Sequence, residues 1–407
     1  MKLYTLISKK RQYVKIKARG TDEKVQEAIS FCSNDALNLS QYPSVVNAAC
    51  DAIKKFGVSA SSSVALSGYS KLYSELEELL SQFKNFQYTT FFLNAWMGIK
   101  SLLEALCYRT ISYISTYPKR NVLILCDVNS HSCIMDALKY VKGVYTRAFK
   151  NKELLLNVKF VRTCSPESLK KTLERYYQEN TDIIYIADAV FSMDGNILPL
   201  PEIIQVLSNY PGALIVLDEA HATGCIGRTG HGILEYFDVD VTRLQILGIN
   251  FVVISTLSKF GASCGAGISS NCKSLNLLMQ KSLYYTNTSA IAPPLLASAS
   301  EAIKILKTNP QFVKELRSKT TYARQRLKQA GFDPLGETNI IPIIVSNNDD
   351  YTKKFAVDML NKHGIWVSAI FHVATPRLRI VINRVHTYKN IDQLIYAMVD
   401  TRASQAK

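Results

Sequence analysis

The sequence holds little that would tie it to a disulfide scaffold, a metal centre or a membrane. Its nine cysteines include no CxxC pair and no Cys/His spacing of a zinc site, so no metal site is expected and the thiols read as reduced. No apolar run approaches the ~18 to 20 residues that a membrane span requires. Nothing at the N-terminus resembles a secretory h-region, which leaves a cytoplasmic protein without an integral membrane segment as the expectation. There is no Gly-Lys pair anywhere, so the GxxxxGK[ST] phosphate loop of helicases and related enzymes is excluded. Neither an internal repeat nor a low-complexity linker is present. One absence is local. The first twenty residues carry Lys2, Lys9, Lys10, Arg11, Lys15, Lys17 and Arg19 and no acidic residue. Such a run reads first as a solvated face, with a transit peptide, a membrane-surface arm and a phosphate-binding arm as the functional alternatives.

The 407 residues suffice for a large core, in two or three domains or in one large domain with a satellite. Lys and Arg number 48 against 33 Asp and Glu, a net charge of +15 that favours anionic partners: nucleic acid, anionic lipid, or a phosphorylated cofactor or substrate. The pattern along the chain is an alternation of strands and helices. The predicted strands are Phe91 to Leu93, Val122 to Asp127, Ile183 to Asp188, Ala213 to Leu217 and Phe251 to Ser255. Short apolar runs rich in β-branched residues read as buried parallel strands, and the alternation specifies an α/β fold with a largely parallel sheet covered on both faces.

Helices are expected from Ser44 to Phe56, ended by Gly57, and over the stretch that spaces Leu76, Leu79, Leu80 and Phe83 on one face. The serine-rich Ser59 to Gly68 reads as a loop. After Pro293-Pro294 a long helix is predicted from Leu295 to about Ala330. Short strands at Ile340 to Val345 and Leu378 to Ile382 follow, with helices from Tyr351 to His363 and from Ile391 to Thr401. The domain reading is an N-terminal arm over 1–40, a large domain over 41–290 and a smaller α+β domain over 291–407.

Two strands end in chemistry. The first delivers Asp218-Glu219-Ala220-His221 and the second Thr256-Leu257-Ser258-Lys259. Ligands of open α/β sheets sit at the carboxyl ends of the strands, so Asp218, His221 and Lys259 are expected to converge on one ligand. A desolvated lysine can act as a nucleophilic amine towards an aldehyde cofactor, and a carboxylate suits the ring nitrogen of pyridoxal phosphate. His131, after its own apolar strand, could stack on a planar ring, and the helix opening at Ala95-Trp96 offers backbone amides to a phosphate. Leu214 to His221 also spells the Asp-Glu-Ala-His box of helicases. Without the phosphate loop that reading fails, and with it the case for a nucleic-acid partner.

The order Ser33-Asn34-Asp35, Asp127-x-x-x-His131, Phe191-Ser192-Met193-Asp194-Gly195, Asp218-Glu219-Ala220-His221-Ala222-Thr223-Gly224 and Thr256-Leu257-Ser258-Lys259 resembles the α-oxoamine synthases. These are fold-type I pyridoxal-phosphate enzymes that condense an amino acid with an acyl thioester and release carbon dioxide. The resemblance runs from about Phe31 to the C-terminus. It implies that Lys259 bonds the cofactor and later removes the Cα proton, that Asp218 pairs with the ring nitrogen, and that His131 stacks on the ring. It further assigns His221 and Ser192 to the ring hydroxyl and Thr256, with the Ala95-Trp96 helix start, to the phosphate. Asp188 stands where the family has Glu. Asn34 and Arg379 match the positions that hold the substrate carboxylate. The family's homodimers share their active sites, and Thr286 or Thr288 would reach the partner's phosphate.

Departures cluster on the acyl-donor side. Asn94-Ala95-Trp96 replaces Ser-Gly-aromatic, Cys133 replaces Ser, and Ala36 and Asn38 replace Tyr and Gly. The stretch Phe260-Gly261-Ala262-Ser263 is one residue short, extra residues lie between Thr286 and Pro293, and Thr375-Pro376 is all that remains of a longer loop. The resemblance therefore implies the cofactor more firmly than the substrate. It leaves open other α-aminoketone synthases of the autoinducer or sphingoid type, and a chain that keeps the fold without turnover.

Overall fold

The computed structural model describes residues 4–18, 24–108, 121–148, 156–371 and 375–405. It divides into two compact units, Pro43–Phe191 with Ile197–Thr308, and Met1–Tyr42 with Ser192–Asn196 and Asn309–Lys407. The boundaries thus differ from those expected at 40 and 290. The first forty residues are not a separate arm, and the helix Pro293–Thr308 belongs to the large unit, where it packs along the helix Pro43–Phe56.

The large unit is built on a seven-stranded sheet. Its spatial order is Tyr88–Phe92, Ala266–Ser270, Asn250–Thr256, Leu214–Asp218, Thr181–Asp188, Asn121–Asp127, Leu156–Val161. Asn250–Thr256 through Leu156–Val161 pair in parallel, and Ala266–Ser270 runs antiparallel to both its neighbours. The central strands are buried along almost their whole length, as β-branched runs covered by helices on both faces require. Asp188 and Asp218 are register partners at the carboxyl ends of adjacent strands, so the sheet sets two carboxylates side by side.

Ala266–Ser270 has no counterpart among the predicted strands. Its Ala-Gly-Ile-Ser-Ser sequence lacks the apolar run that marks the others, yet all five residues are buried. Gly57 has φ +84 and its N–H bonds back to the carbonyl of Ile53, the predicted left-handed stop. The helix Lys71–Lys84 buries Leu76, Leu80 and Phe83. Ser59 to Gly68 is irregular up to Ser63 and then makes one wide helical turn, Val64–Gly68.

The smaller unit contains a four-stranded sheet, Tyr4–Lys10, Tyr13–Ala18, Gln26–Ser30 and Ile365–Trp366. It also contains a three-stranded sheet in the order Ile340–Ile343, Arg377–Val381, Ser368–Ile370. The basic N-terminal run is therefore a β-hairpin. Val14, Ile16 and Ala18 alternate into the core, and Lys15 and Lys17 take the other face. Lys2 and Arg19 lie outside the described residues. The single helix predicted from Leu295 to Ala330 is two, Pro293–Thr308 and Gln311–Gln329, because Pro310 has no N–H to continue the ladder. The helices Asp349–His363 and Tyr388–Gln405 complete the unit. No helix among the described residues is long and apolar enough to cross a membrane.

Candidate active site

Within the large unit, a cavity of about 530 Å³ opens at the carboxyl ends of the central strands. The sheet topology delivers its chemistry. Asp188, Asp218 and Thr256 are the last residues of three adjacent parallel strands, and all three line the cavity. Lys259 and His221 enter on the turns that follow two of those strands, with Lys259 Nζ 3.0 Å from His221 Nε2.

Ala95 and Trp96, at the start of the helix Ala95–Tyr108, form a further part of the wall. Asn94 caps this helix by accepting from the Met97 N–H at 2.9 Å. His131 completes the set. Its backbone N–H donates to Asp188 at 3.0 Å, its Nδ1 lies 2.8 Å from Cys133 Sγ, and the Trp96 ring stands edge-on to it, 6.4 Å between centroids. Trp96 is held in turn by Asp136, which accepts from its Nε1 at 2.6 Å.

Burial governs the electrostatics. It pushes the Asp218 carboxyl above the ordinary carboxylate range, with Lys259 and the Ala220 N–H opposing. Asp188 is likewise pushed up, by burial and by the charge of Asp218 beside it. His131 is lowered from its ordinary value by desolvation, with Asp218 opposing. Two adjacent buried carboxylates suit a cationic group between them and the solvent.

The cavity residues fit pyridoxal phosphate. The Thr256 hydroxyl is buried and meets no hydrogen-bond partner among the described residues, an open donor beside a helix N-terminus where a phosphate would sit. Asp218 offers a buried carboxylate that would suit a protonated pyridine nitrogen. Lys259 offers an amine for the aldehyde.

The remaining predicted residues lie elsewhere. Asn34, Ser192 and Arg379 belong to the smaller unit, where Arg379 Nε donates to the Ser192 carbonyl at 2.6 Å and Nη2 to Asn34 Oδ1 at 3.2 Å. Thr286 closes a short helix, and its hydroxyl meets the Ser282 carbonyl at 3.0 Å and Asn287 Oδ1 at 2.6 Å. Thr288 bonds the Tyr284 carbonyl at 2.8 Å. Cys264 and Gly265 line the cavity without having been anticipated. Their only sequence signal was the shortened turn after Lys259.

The aminotransferase class I and II family model matches residues 26–398. The chain belongs to that family. Members matched over most of their length include 8-amino-7-oxononanoate synthase of Petrotoga mobilis, 29% identical over 377 residues, 90% of this chain and 86% of the relative. Serine palmitoyltransferase of Sphingobacterium spiritivorum is 28% identical over 381 residues, 92% of this chain and 86% of that protein. Among solved structures, Sphingomonas wittichii serine palmitoyltransferase superposes with a TM-score of 0.83 at 20% identity, covering 99% of this chain and 92% of that one. As an aminotransferase-family chain of fold type I, the protein is a pyridoxal-phosphate-dependent acyltransferase of the α-oxoamine synthase group.

Proposed function

We propose that this enzyme condenses an amino acid with an acyl thioester, carried by coenzyme A or by acyl carrier protein, and releases carbon dioxide to leave an α-aminoketone. The reaction is most like that of 8-amino-7-oxononanoate synthase. The observation that carries the reading is the convergence of Lys259, His221 and buried Asp218 in one cavity. Pyridoxal phosphate, when bound, supplies an electron sink for the charge left on the amino acid's Cα after proton removal.

Lys259 is the base that takes that proton, and His221 at 3.0 Å keeps its amine directed into the cavity. Asp218 would hold the ring nitrogen in its cationic form. The His131 ring, its backbone fixed by Asp188, would cover one face of the cofactor ring. Thr256 and the amides of Ala95 and Trp96 would take the phosphate.

Arg379 and Asn34 receive the substrate carboxylate. Arg377 and Arg379 share one face of their strand and both are buried, but Arg377 is paired with Asp194. Arg379 meets neutral oxygens and no carboxylate among the described residues. A buried guanidinium without a counter-charge is a site for a planar anion. The enzyme works as a cytoplasmic homodimer, with Thr286 contributed across the interface. The positive excess suits coenzyme A or an acidic carrier protein.

A second reading, a sphingoid-type synthase, is favoured by the likeness to serine palmitoyltransferase. A mass-spectrometric screen of amino acids against acyl thioesters of different chain length separates the two. Alanine with a dicarboxylate-derived thioester supports the first, serine with a long-chain thioester the second, and no condensation with any pair refutes both.

A further inference from the structure

Directly behind the cavity lies a second buried charge system. Lys84, the last residue of its helix, is paired with Glu219, the neighbour of Asp218, and both side chains are almost wholly enclosed, at 2% and 1% exposure. Lys84 Nζ also donates to Thr223 Oγ1 at 2.7 Å and to the His231 carbonyl. Glu219 accepts in addition from Thr223 Oγ1 at 2.8 Å and from the Ile233 N–H at 2.9 Å. All three donors of Lys84 and both oxygens of Glu219 are thus used, and the loop from Thr223 to Ile233 is tied to the pair at both ends.

A buried ion pair gains little stability over apolar residues of the same volume, so its presence calls for another role. Asp218 lines the cavity, whereas Glu219, the first residue after the strand, is buried outside the cavity lining and bonds Lys84. The charged and titratable groups facing Glu219 are Lys84 from the helix, His231 from the loop and Glu235 from the short helix Ile233–Tyr236 that follows it. On the cavity side stand Asp218, Asp188, His131, His221 and Lys259. Without Lys84, Glu219 would place a second negative charge one residue from Asp218 in a medium of low dielectric constant.

We propose that Lys84 and Glu219 are positioning residues that anchor the turn carrying Asp218 and His221 and that, as a neutral pair, cancel the charge of Glu219 behind the cofactor ring. Asp218 then acts on the bound cofactor as the single neighbouring charge of its strand end. This inference rests on the cofactor reading above.

The test is a pH titration of the visible absorption band of the protein loaded with pyridoxal phosphate, in the wild type, Lys84→Met, Glu219→Gln and the double variant. Lys84→Met leaves Glu219 uncompensated, which favours positive charge in the cavity and moves the midpoint up by about one pH unit. Glu219→Gln removes the negative charge next to Asp218 while Lys84 remains, and moves it down. The double variant returns to the wild-type midpoint. A role in packing alone would lower cofactor occupancy and melting temperature in both single variants with no opposed shifts, and that result overturns the proposal. Should Lys84→Met not fold, Glu219→Gln still decides the sign, because an absent or upward shift is contrary to it. Wild-type protein that takes up no cofactor refutes the cofactor reading itself, an outcome distinct from loaded variants that fail to shift.

Discussion

The Nζ of Lys259 and the Nε2 of His221 stand 3.0 Å apart, brought together by two adjacent parallel strands although 38 residues separate them in the chain. A lysine amine lodged against an imidazole, above a buried carboxylate, is directed rather than free to wave in solvent.

Protein purified with pyridoxal phosphate is therefore expected to be yellow, and Lys259→Ala to lose the visible band of lysine-bound cofactor. Absorption spectra of the two proteins check this. An unchanged band in Lys259→Ala would show that another amine holds the aldehyde.

Arg379→Ala is expected to weaken amino-acid binding by about 10- to 100-fold, the range for losing a charge-assisted hydrogen bond in a buried site. Cofactor affinity should hardly move. Spectral titration with the amino acid measures both, and equal affinity for it in the variant would reassign the carboxylate site.

His386 predicts a pH dependence of stability. Its ring is wholly buried, stacks on Phe31 at 4.1 Å, bonds the Ser30 carbonyl through Nε2 at 3.0 Å and accepts from the Asn383 N–H through Nδ1 at 2.9 Å. Burial pushes it down to about 4 from its ordinary 6.5. The folded chain thus keeps this ring neutral where the unfolded chain protonates it. The contribution is complete above the ordinary value and is lost as pH falls from there to about 4, roughly 3 kcal/mol in all. Denaturant titrations across that window should show a shallower slope for His386→Gln.

Gly195 tests a tight approach of backbone to backbone. It has φ +66, and a Cβ there would run into the carbonyl oxygen of Ile340. Gly195→Ala should cost about 2 kcal/mol or more, against about 1 for Gly57→Ala, where φ is +84 but the space is open. Chemical denaturation of the two variants compares them.

The parts of the molecule that were legible in the sequence are those where local pattern and tertiary need coincide. The strands ending at Asp188, Asp218 and Thr256 are apolar because both faces are covered, and their abrupt polar ends mark where the sheet opens to a ligand. Ala266–Ser270 escaped because its burial comes from close neighbours and small residues, not from hydrophobic side chains. The N-terminal hairpin was hidden by its lysines, although Val14, Ile16 and Ala18 alternate through them. That Ser192–Asn196 is held by Arg377 and Arg379 follows from long-range pairing, which no window of sequence contains.

The smaller unit draws strands from both ends of the chain, with Ile29 beside Ile365 and Gln12 bonded to Asn390, 378 residues away. During synthesis the first three strands leave the ribosome long before Ile365–Trp366 exists, while the large sheet can already close around its own residues. Until that strand has been made, the outer edge of Gln26–Ser30 must wait without its partner. Early truncation would therefore cost the chain its beginning as well as its end.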